Sequence, residues 1–384
     1  MRFEFATASR IVFGPGVIQE LGALASVYGK RAFVVTGRDR IRRAGIIADL
    51  EGVGFHCTLF GIDGEPTVEI AVEGGRAARE SGAQSVIAIG GGSVIDAGKA
   101  IAALATNTED PLEYLEVIGR GRPLKTAPMP FIAVPTTAGT GSEVTRNAVL
   151  GSKAHGVKVS LRSPMMLPAV ALLDPGLTIS LPRDVTASTG LDALTQLIEP
   201  FVSSKANPMT DAFCREGIRV AARSLPAVCR NGRDAEARAG MSYASLLGGL
   251  ALANAGLGVV HGFAAPVGGM FDAPHGAVCA AILPHGAAAN IAALRARAPE
   301  SAALERYTEI ARILTGDQAA EAEDGATWLA DLVRNLGVPG LSKYGIQPAN
   351  SARIVGKAAL ASSMKANPIP LTADELAGVF QASL

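Results

Sequence analysis

The chain has 384 residues, of which 48% are hydrophobic and 18% are charged. This length allows two domains with sizeable cores, and the composition excludes a disordered protein. The 35 basic residues balance 35 acidic ones, so no overall field attracts nucleic acid or an acidic membrane. We therefore expect a small-molecule partner.

The first half of the chain alternates two hydrophobic periods. Short β-branched runs predict strands, and the stretches between them have the spacing of helices. The expected strands are 31–36, 56–60, 85–89 and 131–134, and the expected helices are 16–26, 67–81 and 94–105. This alternation predicts βαβ units, and hence an α/β domain with a parallel sheet.

After about Pro182 the β-branched runs fade, and long segments rich in Ala and Leu predict helices. The expected helices are 183–202, 208–224, 233–255, 287–315, 326–336 and 349–359. The segment 174–182, which contains Pro175 and Pro182, is expected to join the two halves. We place the domain limits at 1–181 for the α/β domain and 182–384 for an all-α domain.

Between positions 239 and 294 the only charged residue is Asp272. The length would suffice for a membrane span, but Asn254, Asn290, three histidines, prolines and glycine pairs argue against insertion. The chain starts without an apolar core behind a basic head, which disfavours a secretory signal. The cysteines, at positions 57, 214, 229 and 279, form no CxxC pair. We expect a cytoplasmic protein with reduced thiols.

Two glycine-rich turns follow expected strands. The first is GGGS at 90–93, and the second is TTAGTGSE at 136–143. Glycines there allow a phosphate to approach the backbone, and a following helix offers free N–H groups. The first turn is neither a GxGxxG nor a P-loop motif, and a tight turn without a ligand is the alternative for it. Two such turns favour a nucleotide cofactor. Asp96 could bind ribose or nicotinamide, or simply pair with Lys99.

The charge-poor stretch contains His261, His275 and His285, and the helix expected before it carries Asp192 and Gln196 on one face, four residues apart. Two histidines and a carboxylate suit Fe²⁺ or Zn²⁺ with open positions. The absence of cysteine ligands disfavours a closed structural zinc. The alternative is that the histidines are neutral core residues bonded to carbonyls and that Asp192 caps a helix.

Five segments together resemble the iron-containing (group III) alcohol dehydrogenases of the dehydroquinate synthase-like superfamily, in the same order and over essentially the whole chain. They are GGGSVIDAGKAIA, PTTAGTGSEVT, TGLDALTQLIEPFVS, VVHGFAAPVGGMF and APHGAVCAAILPH. The resemblance implies a Rossmann-like N-terminal dinucleotide-binding domain and an all-α C-terminal domain. It also implies a divalent metal, NAD or NADP, and interconversion of a small alcohol and its aldehyde or ketone by metal-assisted hydride transfer. A homodimer is expected because dimers are common in this family.

The resemblance also assigns site residues by motif. The expected metal ligands are Asp192, Gln196, His261 and His275, and Asp192, His261 and His275 are also the expected catalytic residues. The expected cofactor-binding residues are Gly37, Gly91, Gly92, Ser93, Asp96, Thr136, Thr137, Ser142 and Lys158. Gly37 leaves room for a 2′-phosphate after its strand, Arg38 could pair with that phosphate and Asp39 could reject it, so both cofactors remain open.

Two positions depart from the family pattern. Gln196 stands where iron-binding members have a histidine, and a neutral amide is a weaker ligand than imidazole. Ala265 stands where a further histidine is often linked to proton transfer. A site with one Asp and two His resembles that of the zinc-binding glycerol dehydrogenases. The alternatives are a metal-independent reductase of an oxo-acid or enone resembling maleylacetate reductase, a dehydroquinate synthase-like lyase, and a binding protein without activity.

Overall fold

The computed structural model describes residues 2–37, 43–152 and 154–384. They form two compact units. The first consists of Ala6–Thr137 and Gly141–Ile179, and the second of Met1–Phe5, Ala138–Thr140 and Ser180–Leu384. We call them the α/β unit and the helical unit.

Among the described residues of the α/β unit, six strands form one parallel sheet in the order β1-β8-β5-β4-β2-β3. The strands are β1 (Ile11–Phe13), β2 (Arg31–Gly37), β3 (His56–Ile62), β4 (Ser85–Gly90), β5 (Phe131–Pro135) and β8 (Val170–Leu173). The chain goes from β2 outward to β3 and then returns to β4 on the other side of β2. The sheet therefore has a topological switch point between β2 and β4, where α/β proteins bind ligands.

Helices cover both faces of this sheet. They are α1 (Leu21–Ser26), α2 (Ala44–Gly52), α3 (Val68–Glu80) and α4 (Gly92–Thr106). In β2, Phe33 and Val35 belong to one core together with Ile95 of α4, whereas Val34 belongs to a second core with Leu50 of α2. This alternation follows from the two-residue period of a strand, and it explains why the buried strands are apolar throughout.

A short antiparallel hairpin, β6 (Asn147–Ser152) with β7 (Val157–Arg162), packs beside α4. Neither this hairpin nor β8 was among the expected strands. β8 is only four residues long, which leaves little periodic signal to detect.

The described helices of the helical unit are α5 (Arg183–Val202), α6 (Pro208–Arg230), α7 (Ala235–Ala255), α8 (Val259–Met270), α9 (His275–Arg297), α10 (Ala302–Thr315), α11 (Ala322–Leu336), α12 (Ser351–Ala359) and α13 (Ala373–Ala382). Among them α9 is central, because it contacts α5, α8, α10, α11 and α13. By length and composition α9 could span a membrane, but 78% of its most apolar window is buried inside the protein.

The expected single helix over 287–315 is wrong. α9 begins earlier, at His275 directly after Pro274, and ends at Arg297, and α10 starts at Ala302. Pro299 lies in the break between them, where its missing N–H and its ring oppose a continuous helix. The expected end of the helix at Ser224 is also wrong, because α6 continues to Arg230.

Candidate active site

Different helices of the helical unit bring the expected metal ligands together. Asp192 lies on α5, His261 on α8 and His275 on α9. The Oδ1 atom of Asp192 is 3.4 Å from Nε2 of His261 and 3.7 Å from Nε2 of His275. The two imidazole rings are 5.5 Å apart, with their planes tilted by 52°. A carboxylate oxygen and two ring nitrogens therefore converge on one point.

Glycines allow these helices to approach closely enough. A Cβ on Gly276 would lie 2.7 Å from the backbone oxygen of Ser188, so α9 begins in backbone contact with α5. A Cβ on Gly286 would lie 2.9 Å from Val259, so α9 also packs tightly on the start of α8. Between α7 and α8 the chain bends by 97°, and Gly256 in this bend has a φ of 74°, which favours glycine.

A second carboxylate orients His261. Glu199 is buried, with 5% of its surface exposed, and its Oε2 atom lies 2.6 Å from Nδ1 of His261. Its Oε1 atom accepts a hydrogen bond of 2.7 Å from the backbone N–H of Val260. Holding the proton on Nδ1 leaves Nε2 free as an electron-pair donor, as in the carboxylate–histidine pairs of metal sites. The sequence analysis missed Glu199, although it lies seven residues, or about two turns, after Asp192 on the same helix.

A thiol joins the cluster as well. Cys279 follows His275 by four residues on α9 and is fully buried. Its Sγ atom lies 3.6 Å from Nε2 of His275 and 3.9 Å from Nε2 of His261. The donor atoms of these three residues and Asp192 all lie within 4.8 Å of one another. The sequence indicated no cysteine ligand, whereas the structure adds the thiol of Cys279 to the possible donors. The signal that could have found Cys279 is its spacing of one helical turn from His275.

The cluster fits a divalent cation. Asp192 is 1% exposed, yet its Oδ1 atom accepts no hydrogen bond from any residue that the structure describes. Gln196, one turn later and 3% exposed, likewise has an Oε1 atom without a hydrogen bond in the described part of the chain. Leaving such oxygens buried and unpaired is costly. A cation bound between the imidazoles and the carboxylate would satisfy Asp192, because these donor types suit iron and zinc.

The electrostatics of the cluster agree with an ionised carboxylate. Burial acts to raise the pKa of Asp192, but the adjacent His275 and His261 outweigh it and hold the pKa below its ordinary value. Burial acts to lower the pKa of His261, but Cys279 and Glu199 outweigh it and raise the pKa well above its ordinary value in the metal-free cluster, so a cation that binds at Nε2 would displace the proton from that atom. Neither alternative from the sequence holds. His261 is bonded to a carboxylate rather than to a carbonyl, and Asp192 lies inside α5 rather than at its cap.

In the α/β unit the two glycine-rich turns meet. Gly90 pairs with Pro135 at the ends of β4 and β5, and the N–H of Thr136 donates to the carbonyl oxygen of Gly90 at 2.9 Å. A Cβ on Gly91 would lie 3.2 Å from the Thr137 side chain. α4 begins at Gly92 without a side-chain cap, so its first N–H groups can receive an anion. Next to these turns, β2 ends at Gly37 on the far side of the switch point.

Asp96 and Ser142, both expected to bind cofactor, are bonded to each other. The Oδ2 atom of Asp96 accepts from the backbone N–H of Val149 at 3.0 Å, and its Oδ1 atom lies 3.2 Å from Nζ of Lys99. The simple pairing of Asp96 with Lys99 is thus present in the structure. A role for Asp96 toward ribose or nicotinamide stays a prediction.

Two basic side chains near these motifs have partners in the α/β unit. The guanidinium of Arg43 donates to Oγ1 of Thr136 at 3.1 Å, which brings a cation to the second turn. Nζ of Lys158 donates to Oε1 of Glu65 at 2.6 Å. Arg38 and Asp39, which were expected to select the cofactor, lie outside the described residues.

Two family models match the chain. The model described as "Iron-containing alcohol dehydrogenase" matches residues 8–175, and "Fe-containing alcohol dehydrogenase family, C-terminal" matches residues 186–384. The chain belongs to the iron-containing alcohol dehydrogenase family. It is 33% identical over 392 residues to a 1,3-propanediol dehydrogenase of Klebsiella pneumoniae, covering 99% of this chain and 98% of that relative. It is 31% identical over 385 residues to an NAD-dependent methanol dehydrogenase of Bacillus methanolicus, covering 97% of each.

A solved structure shares the whole fold of this iron-containing alcohol dehydrogenase. The crystal structure of a 1,3-propanediol oxidoreductase matches with a TM-score of 0.91 and 31% sequence identity over 100% of both chains. The predicted fold class, an α/β domain with a parallel sheet followed by an all-α domain, is confirmed. The predicted enzyme class is confirmed as well. The family uses NAD(H) and a divalent metal and acts on small alcohols or aldehydes, so neither the metal-independent reductase nor the lyase is favoured.

Proposed function

We propose that this enzyme oxidises a small neutral alcohol to its aldehyde with transfer of hydride to NAD⁺, and catalyses the reverse reduction, with a metal held by Asp192, His261 and His275. The observation that carries this proposal is the buried, unpartnered Oδ1 atom of Asp192 facing two imidazole nitrogens. A cation bound beside this carboxylate would supply the partner that its buried oxygen lacks. Gln196, four residues later, is proposed as an additional, weaker ligand.

A divalent cation in this cluster supplies Lewis-acid polarisation of the substrate oxygen, which lowers the pKa of a bound alcohol. The protein contributes charge and position. Asp192 brings a negative charge into a buried setting, where electrostatic interactions are strong. Glu199 holds the His261 proton on Nδ1 and so keeps Nε2 available. The hydride chemistry itself belongs to the cofactor.

We infer a neutral substrate from the lack of charged residues near the ligands on α8 and α9, the helices that carry His261 and His275. α8, which the structure describes in full, contains no charged residue, and the first charged residue of α9 is Arg295, twenty residues after His275. A charged group of the substrate that lies away from the metal would find no counter-ion on these two helices, so its desolvation would go uncompensated. A small neutral alcohol or aldehyde avoids that penalty.

The alcohol proton must leave when hydride leaves, and we assign it to solvent. Ala265, one turn after His261 on α8, has no titratable group and is exposed. The His275 side chain is 38% exposed, so water reaches the cluster at this ligand. Proton release to water at this position requires no side-chain relay.

We propose that NAD(H) binds at the carboxyl ends of β4 and β5. Gly91, Gly92 and Ser93 form the start of α4, where a pyrophosphate would meet free N–H groups. Thr136 and Thr137 lie against this turn. The remaining expected contacts of the cofactor are Gly37, Asp96, Ser142 and Lys158.

The choice of NAD(H) over NADP(H) follows the family rather than a contact described in this chain. The ratio of kcat/KM values with the two cofactors tests it, and the ratio for Arg43→Ala tests whether this nearby guanidinium contributes. A homodimer, a cytoplasmic location and the domain limits 1–181 and 182–384 remain predictions.

The substrate proposal is tested by following NADH formation with methanol, ethanol, 1-propanol and 1,3-propanediol, and with glycolate as a charged comparison. We expect turnover of neutral alcohols and little of glycolate. Asp192→Asn should lower kcat/KM by about 100-fold or more, because it removes charge at the reacting centre. Asp272→Asn is the matched control, since Asp272 is exposed and should be dispensable. Wild-type rates in Asp192→Asn, or reduction of oxo-acids or enones alone, would contradict the proposal.

A further inference from the structure

Cys279 lies among the metal ligands of the proposed function, on which this inference rests. Its Sγ atom lies 3.6 Å from Nε2 of His275 and 3.9 Å from Nε2 of His261. It is fully buried, and it belongs to the set of four donors that lie within 4.8 Å of one another. A thiol that only filled the core would be expected to face apolar side chains rather than two ring nitrogens.

Four donor-to-donor distances of this cluster are closer to those of a tetrahedral set that includes the sulfur than to those of an octahedral one. Bonds of about 2.05 Å to nitrogen or oxygen and about 2.3 Å to sulfur place nitrogen and sulfur about 3.6 Å apart, and nitrogen and oxygen about 3.4 Å apart. The structure has nitrogen-to-sulfur distances of 3.6 and 3.9 Å and nitrogen-to-oxygen distances of 3.4 and 3.7 Å. Octahedral angles with the same bonds would give about 3.1 and 2.9 Å, which is shorter than every observed distance.

The sequence gives an independent reason for a further donor. Gln196 offers only a neutral amide oxygen at the position where the resemblance expects an imidazole. Asp192 is the only carboxylate among the four donors and would balance half of the charge of a dication by direct contact, because Glu199 bonds to Nδ1 of His261 and not to the atoms of the donor set. A Cys279 thiolate would supply both the missing donor and the second negative charge.

We propose that Cys279 joins Asp192, His261 and His275 as a fourth strong protein ligand of the metal and binds it as a thiolate, with the substrate oxygen adding as a further ligand during turnover. Binding replaces the S–H bond with a sulfur–metal bond, and the proton is released to solvent. Thiolate donors favour zinc over iron, so the site of this family member should have a softer donor set than one Asp and three His provide.

Cobalt(II) tests this proposal because a thiolate bound to cobalt gives an intense near-ultraviolet charge-transfer band, whereas nitrogen and oxygen ligands do not. The full-length protein is freed of metal with a chelator under reducing conditions and then given one equivalent of Co²⁺. We expect the band in the wild type and its loss in Cys279→Ser. Cys214→Ser is the matched control, since Cys214 is an equally buried thiol of the helical unit on α6 and should leave the band intact.

Cadmium provides a second measurement that needs no variant. The ¹¹³Cd NMR signal of the loaded wild-type protein should move downfield into the range given by one thiolate among nitrogen and oxygen ligands. This shift keeps the proposal testable if Cys279→Ser does not fold.

The outcomes separate this proposal from the one on which it rests. Cobalt bound at one equivalent without the charge-transfer band, or a band that persists in Cys279→Ser, overturns the thiolate ligand and leaves the metal site standing. Failure of the wild type to bind cobalt or cadmium overturns the proposed metal site and the thiolate with it.

Discussion

Replacing Glu199 with glutamine tests whether this carboxylate orients the imidazole of His261 and caps the start of α8. In the structure this carboxylate accepts two N–H groups, from the backbone of Val260 at 2.7 Å and from Nδ1 of His261 at 2.6 Å. Glutamine has nearly the same shape but keeps only one acceptor and gains an NH₂ group. If its oxygen still accepts from Val260, the NH₂ group meets the N–H of His261. The imidazole must then move its proton to Nε2, the atom that faces Asp192, or rotate away.

The expected size of the effect follows from these two bonds. Losing one hydrogen bond to a charged, buried acceptor costs about 1.5–3 kcal/mol, and we expect a loss of this size in the free energy of unfolding. Changing a residue that orients a metal ligand usually lowers metal affinity by about 10–100-fold. Urea unfolding of the metal-free protein measures the first quantity, and competition with a chelator for Zn²⁺ measures the second.

Glu216→Gln is the matched control for this substitution. Glu216 lies on α6 in the same unit but forms an exposed ion pair with Arg219, so neither quantity should change appreciably. A Glu199→Gln variant that loses stability but binds Zn²⁺ like the wild type would refute the orienting role and leave Glu199 only as the cap of α8. Unchanged stability as well would refute both roles.

Four further substitutions have definite expected outcomes. Gln196→His should strengthen Fe²⁺ and Zn²⁺ binding about tenfold or more in chelator competition, because imidazole is the better donor; unchanged affinity would place this side chain outside the cluster. Burial raises the pKa of Glu143 from 4.5 to about 7, so the folded state holds the extra proton between these values. The contribution of Glu143 to stability is therefore complete below pH 4.5 and falls by about 3 kcal/mol as pH rises through 7. Glu143→Gln should flatten this dependence in urea unfolding at pH 5 and 8, and parallel curves would refute it. Gly276→Ala forces a Cβ to 2.7 Å from the oxygen of Ser188 and should lower stability by about 1–3 kcal/mol. Gly356→Ala, in a helix with open space around that position, should raise stability by about 0.5–1 kcal/mol; equal thermal shifts in the two variants would contradict the packing described for α9.

The parts of the fold that were predictable are those with strong local patterns. β2 to β5 are short, largely apolar runs, and α5 to α7 are long segments of helical spacing with polar residues at their starts. α8 was not predicted, because its sequence VVHGFAAPVGGM contains three glycines and Pro266, which have low helix propensity. It is helical because its first N–H groups bond to Glu199 and Asn367 and because its apolar residues are buried. Such contacts exist only in the folded chain.

The candidate site was predictable in part for the same reason. Asp192, His261 and His275 stand out by residue type in a stretch that contains few charges. Glu199 and Cys279 do not, because a carboxylate in a helix and an isolated cysteine are ordinary features of a sequence. Only the packing of α5, α8 and α9 shows that the Glu199 carboxylate bonds to the imidazole of His261 and that the Cys279 thiol lies close to the Nε2 atoms of His261 and His275.

The central claim is that the cluster of Asp192, His261 and His275 binds a metal that alcohol oxidation requires. Its most direct test is to titrate Zn²⁺ or Fe²⁺ into chelator-treated protein and to measure NADH formation from a neutral alcohol and NAD⁺ at each step. We predict no activity without metal and a linear rise that ends at one equivalent per chain. Full activity in the metal-free protein would contradict the claim.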